Sequence, residues 1–185
     1  EKRNLLSAIA AQKNDKRAYG SAQMLKRMCK ADSFGIPRLG EKEDVAAITP
    51  NSLYEHYRQI LKTSRIDVFY VGAAEPAHVA HLTENMFREL DREYEELSPQ
   101  TPLQPAEETD TTAQMDVNQG KLCMGFVTPV TIRDEAFVAM QLLNVIFGGG
   151  MTSKLFMNVR EKLSLCYSIG SGYYGTKGIV TVAAG

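Results

Sequence analysis

Over residues 1 to about 30, Leu5 and Ile9, then Met24, Leu25 and Met28, recur at three-to-four-residue spacing with Lys and Arg between them. That period predicts helix, and Asn14-Asp15 offers a start for a second helix rather than a continuation of the first. Phe34 to Gly40, FGIPRLG, breaks the pattern with proline and glycine and reads as a loop. Thr49-Pro50 then supplies a capping hydroxyl followed by a residue with no amide proton to satisfy, a strong helix start. Leu53, Tyr57, Ile60 and Leu61 form the apolar stripe of that helix. After Ser64 the period changes: RIDVFYVG, Arg65 to Gly72, is rich in β-branched and aromatic residues on both faces and predicts a buried strand. Glu75-Pro76 opens a further helix with Val79, Leu82, Met86 and Leu90 on its inner side.

Ser98 to Asp110 carries Pro99, Pro102 and Pro105 among acidic and threonine residues without periodicity, the composition of a linker. Beyond it, QGKLCMGFVTP alternates as a strand with Leu122, Met124 and Phe126 on one face. DEAFVAMQLLNVIF is apolar nearly all round, which predicts a helix buried on most sides. Gly148 to Gly150 stop it, their backbone freedom allowing a sharp turn. A second helix is expected from near Thr152 to about Lys162, capped by Thr152 or Ser153, with a strand leaving through Leu165 and Tyr167. GYYGTKGIVTVAAG reads as a hairpin around Gly175 to Gly178. This order of turn-linked strands and helices predicts an α+β fold with an antiparallel β-sheet, not a doubly wound one. The expected parts are residues 1–97, a Pro-rich linker 98–110, and residues 111–185, the two halves packing as one compact unit.

The 185 residues can bury a real core, and 44% hydrophobic residues with a net charge of −1 describe an ordinary globular protein. Nothing is basic enough for nucleic acid, and no apolar run is long enough to cross a bilayer. No signal peptide is visible; Glu1 in place of methionine and an end inside a strand-like run give the chain the look of a segment of a longer protein. Cys29, Cys123 and Cys166 are far apart, odd in number and without CxxC spacing, as free thiols in a reducing cytoplasm would be. The apolar neighbours of Cys29 and Cys123 cast them as small core residues.

His78 and His81 stand three apart on one helix, but a helical zinc-peptidase pair stands four apart with a glutamate beside one of them, so HVAHL reads as a helix face. GGGMTSK, Gly148 to Lys154, lacks the Gly-Lys pair and the preceding strand of a phosphate loop. Arg160 and Tyr167 remain. A guanidinium offers a planar fork of donors to a carbonyl or carboxylate, and a phenol one adjustable hydroxyl. Two plainer roles stay open: a basic residue near a helix C-terminus is favourable through the macrodipole alone, and Tyr167 shares strand parity with Leu165 and Ile169 as half-buried core.

At these residues the chain resembles the M16 metallopeptidases, the insulinase, pitrilysin and mitochondrial processing peptidase group. LLNVIFGGGMTSKLFMNVREKLSLCYSIGS, residues 142–171, is similar throughout to that family's second-domain signature. Residues 25–76 are similar to the back half of its first domain. The segment thus resembles the family's C-terminal, or inactive, domain. The resemblance implies an M16 metallopeptidase-like fold, with helices packed on one face of the antiparallel sheet. It also implies that residues 1–97 end one such domain and residues 111–185 begin its structural repeat.

Active members of that family hold zinc with His-x-x-Glu-His and a later glutamate. Aligned on the run EKRNLLSAI, that glutamate falls at Ile9, or at Ala8 or Ala10, none of which binds zinc. The resemblance therefore implies no metal ligand and no catalytic residue here, with zinc on a partner or an upstream domain. Arg160 and Tyr167 reproduce the family's Arg-x6-Tyr spacing, which implies substrate binding across a closed chamber. The implied protein is the zinc-free half of a bacterial, cytoplasmic heterodimer whose homologous zinc-bearing subunit performs proteolysis. The alternative is an architectural, core-type assembly subunit of the same family.

Overall fold

The computed structural model describes residues 1–88, 90–97 and 107–185. The chain divides into two compact units, one of Glu1–Ala46 with Gln100–Gly185 and one of Ala47–Pro99. Most of the linker segment 98–110 lies outside the described residues; 107–110 have no regular structure.

The first unit opens with α1, Lys2–Ala11, followed by a 3-10 turn and then α2, Lys16–Met28. Asp15 is where the second helix begins: its carboxylate accepts the amides of Arg17 and Ala18 at 3.1 and 2.9 Å. These are donors that a helix start otherwise leaves unpaired. After a short α3, Lys42–Ala47, this unit resumes with β1, Leu122–Val127, then α6, Phe137–Gly148, and the hairpin of β2, Ile169–Tyr174, with β3, Ile179–Ala184. α4, Pro50–Thr63, and α5, Pro76–Arg88, between α3 and β1, belong to the second unit.

The sheet is antiparallel in the order β1-β3-β2, with Leu122 opposite Ala184, Val127 opposite Ile179, and Tyr174 opposite Ile179 from the other side. The hairpin falls where the glycines predict it. β3 is central, and its Ile179, Val180 and Val182 are buried. Burying one such side chain contributes about 1.5–3 kcal/mol.

The α+β class with an antiparallel sheet is thus as expected, but the helices occupy both faces rather than one. On one face Cys123 and Gly125 lie under Gly20, Met24 and Met28 of α2, and Cys29, Leu25, Met28, Phe34 and Val127 surround Ile179. On the opposite face α6 covers β2: the Ser171 hydroxyl donates to Asn144 Oδ1 at 2.8 Å, and the Phe137 and Tyr173 rings lie 6.1 Å apart. Because α6 covers mainly β2, it is not buried on most sides as its composition predicts. Val138, Leu142, Leu143, Val145 and Ile146 are exposed, as are Leu122, Met124 and Phe126 on β1.

Cys29 is buried, and burial first, then the Asp32 carboxylate, pushes its thiol pKa upward against the pull of Lys177. Such a thiol is inert packing. Cys123, read as core, is only half-buried between α2 and β1. All three cysteines are free.

The second unit contains α4, Pro50–Thr63, and α5, Pro76–Arg88. Thr49 caps α4 reciprocally with Ser52: the Ser52 amide donates to Thr49 Oγ1 at 3.1 Å and the Thr49 amide to Ser52 Oγ at 2.9 Å. The strand expected over Arg65 to Gly72 does not form. Phe69 is 91% and Val71 100% exposed, and the stretch runs as extended chain. A strand exists only as part of a hydrogen-bonded ladder, and no strand is described in this unit for it to pair with. The α4 stripe of Leu53, Tyr57 and Ile60 is likewise exposed.

Candidate functional site

The glycines ending α6 act by size. None of Gly148 to Gly150 takes a positive φ; instead a Cβ on Gly148 would stand 2.6 Å from the Ser171 amide nitrogen. The missing side chain lets α6 close on β2. Of the two candidate caps it is Ser153, itself buried, whose hydroxyl accepts the Phe156 amide at 3.4 Å.

That helix continues as a π-helix over Phe156–Lys162. The Leu163 amide reaches back five residues to the Asn158 carbonyl, and the Leu165 amide six residues to Val159. Ser164 closes the turn at φ 52, a left-handed conformation that glycine adopts more easily than serine. π-turns of this kind are uncommon and concentrate at functional sites.

The widened turn brings Arg160 and Tyr167 together. Arg160 Nε donates to the Tyr167 carbonyl at 2.7 Å, and its Cζ lies 5.8 Å from the Tyr167 ring centre. Tyr167 is not a strand residue and not half-buried core, contrary to the parity reading. It sits in a bend before β2, 79% exposed, because the widened turn and Ser164 delay the start of β2 to Ile169. Its backbone is nonetheless fixed: the amides of Tyr167 and Ser168 both donate to the Gly185 carbonyl, at 2.9 and 2.8 Å. The result is an exposed phenol on an anchored backbone beside a guanidinium whose side chain is 33% exposed.

Two further residues complete the site, and neither is among the residues singled out from the sequence. The Phe156 ring lies 4.5 Å from Arg160 Cζ, and Glu161 Oε1 accepts from Arg160 Nη1 at 2.9 Å. The available signal for Phe156 was its spacing of four from Arg160 on a helix. With Nε and Nη1 engaged, Nη2 takes no intramolecular partner among the described residues. Chemically, the site can donate from Nη2 and from the Tyr167 hydroxyl to one or two acceptor oxygens.

The α1 positions at which the family resemblance would place a zinc-binding carboxylate do not fit a metal. The α1 sequence, KRNLLSAIAA, holds no Asp, Glu, His or Cys, so Ala8, Ile9 and Ala10 offer aliphatic groups where a zinc-binding carboxylate would be needed. His81 is paired with Asn85 at 3.0 Å. No group of three His, Cys, Asp or Glu arranged to hold a metal occurs among the described residues. Nor is any of the described helices long and apolar enough to cross a membrane.

Residues 47–185 match the model of the peptidase M16 inactive domain, and the chain belongs to that family. Over 188 aligned residues and its full length, the chain is 36% identical to the probable inactive metalloprotease YmfF of Bacillus subtilis (strain 168), spanning 43% of that protein. It is 26% identical, over 83% of its length and 37% of the relative's, to the uncharacterized zinc protease YmxG of the same organism. Among solved structures, a conserved protein from Enterococcus faecalis V583 superposes with a TM-score of 0.83 at 30% identity, over 99% of this chain and 43% of that one. A peptidase M16 inactive domain from Pseudomonas fluorescens shares the fold at a TM-score of 0.67 and 19% identity, over 99% of this chain and 45% of that one. The chain thus spans less than half the length of these relatives.

Proposed function

We propose that this chain is part of the zinc-free half of a bacterial M16 peptidase, and that Arg160 and Tyr167 bind the backbone of a peptide held at a zinc site on a homologous subunit. The observation that carries this reading is the convergence of two residues seven apart: the Arg160 guanidinium is held at 2.7 Å on the Tyr167 backbone carbonyl, 5.8 Å from a Tyr167 ring that stands in solvent. Zinc and a general base on the partner supply the hydrolysis. Donors opposite them hold the peptide and favour the charge that develops on the scissile carbonyl. The aliphatic run in α1, the name of the Bacillus relative and the absence of a metal-holding cluster among the described residues support the division of labour. The heterodimer acts in the cytoplasm, and this chain alone neither binds zinc stoichiometrically nor cleaves peptides.

The test is reconstitution of the full-length protein with a zinc-bearing homologue encoded in the same genome. Losing one well-placed oxyanion donor costs about 10²–10³ in kcat in other enzymes. An Arg160→Ala/Tyr167→Ala double variant is therefore expected to lose about tenfold or more of the pair's peptidase activity while still assembling. Full activity from that variant overturns the mechanism. Co-purification with unrelated assembly proteins instead of a metal-containing homologue points to the architectural role.

A further inference from the structure

We infer that Phe156 is a positioning residue for Arg160, holding the guanidinium plane so that Nη2 faces a bound peptide; this deepens the substrate-binding reading and rests on it. An arginine side chain is rich in rotamers, and an unrestrained one loses much of that freedom on binding a ligand. Here the loss is taken in advance on three sides. The Phe156 ring covers the guanidinium at 4.5 Å, closer than the Tyr167 ring at 5.8 Å. The Tyr167 carbonyl takes Nε and Glu161 takes Nη1. Stacking consumes no N–H group, so Phe156 fixes the plane and leaves the Nη2 donors available.

The local fold explains why this ring is there. Ser153 anchors the helix start at the Phe156 amide, and the π-helix carries Phe156 and Arg160 on the same short element. The carbonyl that receives Nε is itself fixed, because the Tyr167 amide is tied to Gly185. Phe156 is half-buried and does not reach outward like Tyr167, so its part is played through Arg160.

The experiment compares Phe156→Leu and Phe156→Tyr in the full chain with two readouts. The first is the NMR signature of Arg160 in the free protein. Ring current from Phe156 shifts its δ protons upfield, and stacking slows rotation about Nε–Cζ. Phe156→Leu is expected to abolish both effects and Phe156→Tyr to retain them. The second is anisotropy of an unstructured, fluorescein-labelled peptide rich in alanine, serine and lysine. Phe156→Leu should weaken binding roughly threefold to tenfold, the range of a half-desolvated cation–π contact. Phe156→Tyr should restore it, and Phe156→Leu should cost nothing further in an Arg160→Ala background.

Unchanged Arg160 signals in Phe156→Leu overturn the inference, as does an equal loss in the Arg160→Ala background, which would mark a packing effect. Failure of a folded Phe156→Tyr variant to rescue binding also counts against it. Peptide binding that ignores Arg160→Ala sinks the substrate-binding reading instead, while the NMR arm still decides whether Phe156 positions the guanidinium.

Discussion

Lys177, in the β2–β3 turn, donates to Asp32 Oδ2 at 2.7 Å, and both side chains are only 11% exposed. This ion pair ties the hairpin to the loop after α2 across 145 residues of sequence, directly beside the buried Cys29–Ile179 contact. Asp32 is doubly engaged, since its Oδ1 also accepts the Phe34 amide at 2.7 Å. Removing one partner of a fully buried pair costs about 3–5 kcal/mol because the other charge is stranded. Residual exposure and the surviving Phe34 bond reduce this, so Lys177→Met is expected to cost about 2–3 kcal/mol. Asp32→Asn keeps an acceptor for the Phe34 amide but no charge, at about 1–2 kcal/mol. Removing both charges strands neither, so the double variant should lose about 1–2 kcal/mol and the coupling energy should be near 2 kcal/mol.

The assay must report on this unit alone. The chain has no tryptophan and two compact units, so a single optical transition would mix them. Urea-dependent hydrogen exchange at the β3 amides isolates the hairpin's opening free energy. Acid dependence supplies a second arm. The Lys177 hydrogen bond first, then the Phe34 amide, lowers the Asp32 pKa below its ordinary 3.8. A carboxylate with a depressed folded pKa contributes stability that is fully present above the unfolded value. That contribution is lost as pH falls through the lowered folded one. The wild-type protein should therefore show an acid limb below about pH 4 that flattens in Lys177→Met. Additive single losses, with coupling under about 0.3 kcal/mol, would refute the reasoning.

Two substitutions test turns, one in the hairpin and one beside the site. Gly178 has φ +65, and a Cβ there would meet the Thr128 carbonyl and stand 2.9 Å from that of Val130; Gly178→Ala should destabilise the hairpin by about 2 kcal/mol or more, read by the same exchange measurement. Ser164 holds φ 52 with a side chain. Relief of that strain, partly offset by added chain entropy in the unfolded state, should make Ser164→Gly more stable by about 0.5–1 kcal/mol, with the Arg160–Tyr167 contact preserved in NMR spectra.

What could be read from the sequence was whatever a few neighbouring residues decide among themselves. Asp15, Thr49 and Ser153 cap helices with donors two or three residues away, and the glycine-flanked turn sets the hairpin, so all four were legible. Burial was not, because the pattern marks a residue as apolar without naming what covers it. Phe69 and Val71 carry a strand's composition but lack a ladder in their unit, and Leu142 and Ile146 are exposed because α6 covers mainly β2. The same limit explains the helices on both faces: α2 meets β1 through Gly20 and Cys123, 103 residues apart, and no local signal encodes that.

At the site, the resemblance picked out Arg160 and Tyr167, but strand parity misplaced Tyr167 because nothing in VREKLSLCY announces a π-helix or a left-handed serine. That error is informative. A regular helix followed directly by a strand would have let Tyr167 alternate into the sheet. The wide turn and the strained serine instead hold its backbone carbonyl against Arg160 and its ring in solvent. Where local propensity is overridden at a cost in strain, the usual reason is a geometry the protein needs; here the geometry obtained is one guanidinium, over the Phe156 ring and twice tethered, whose Nη2 takes no partner among the described residues.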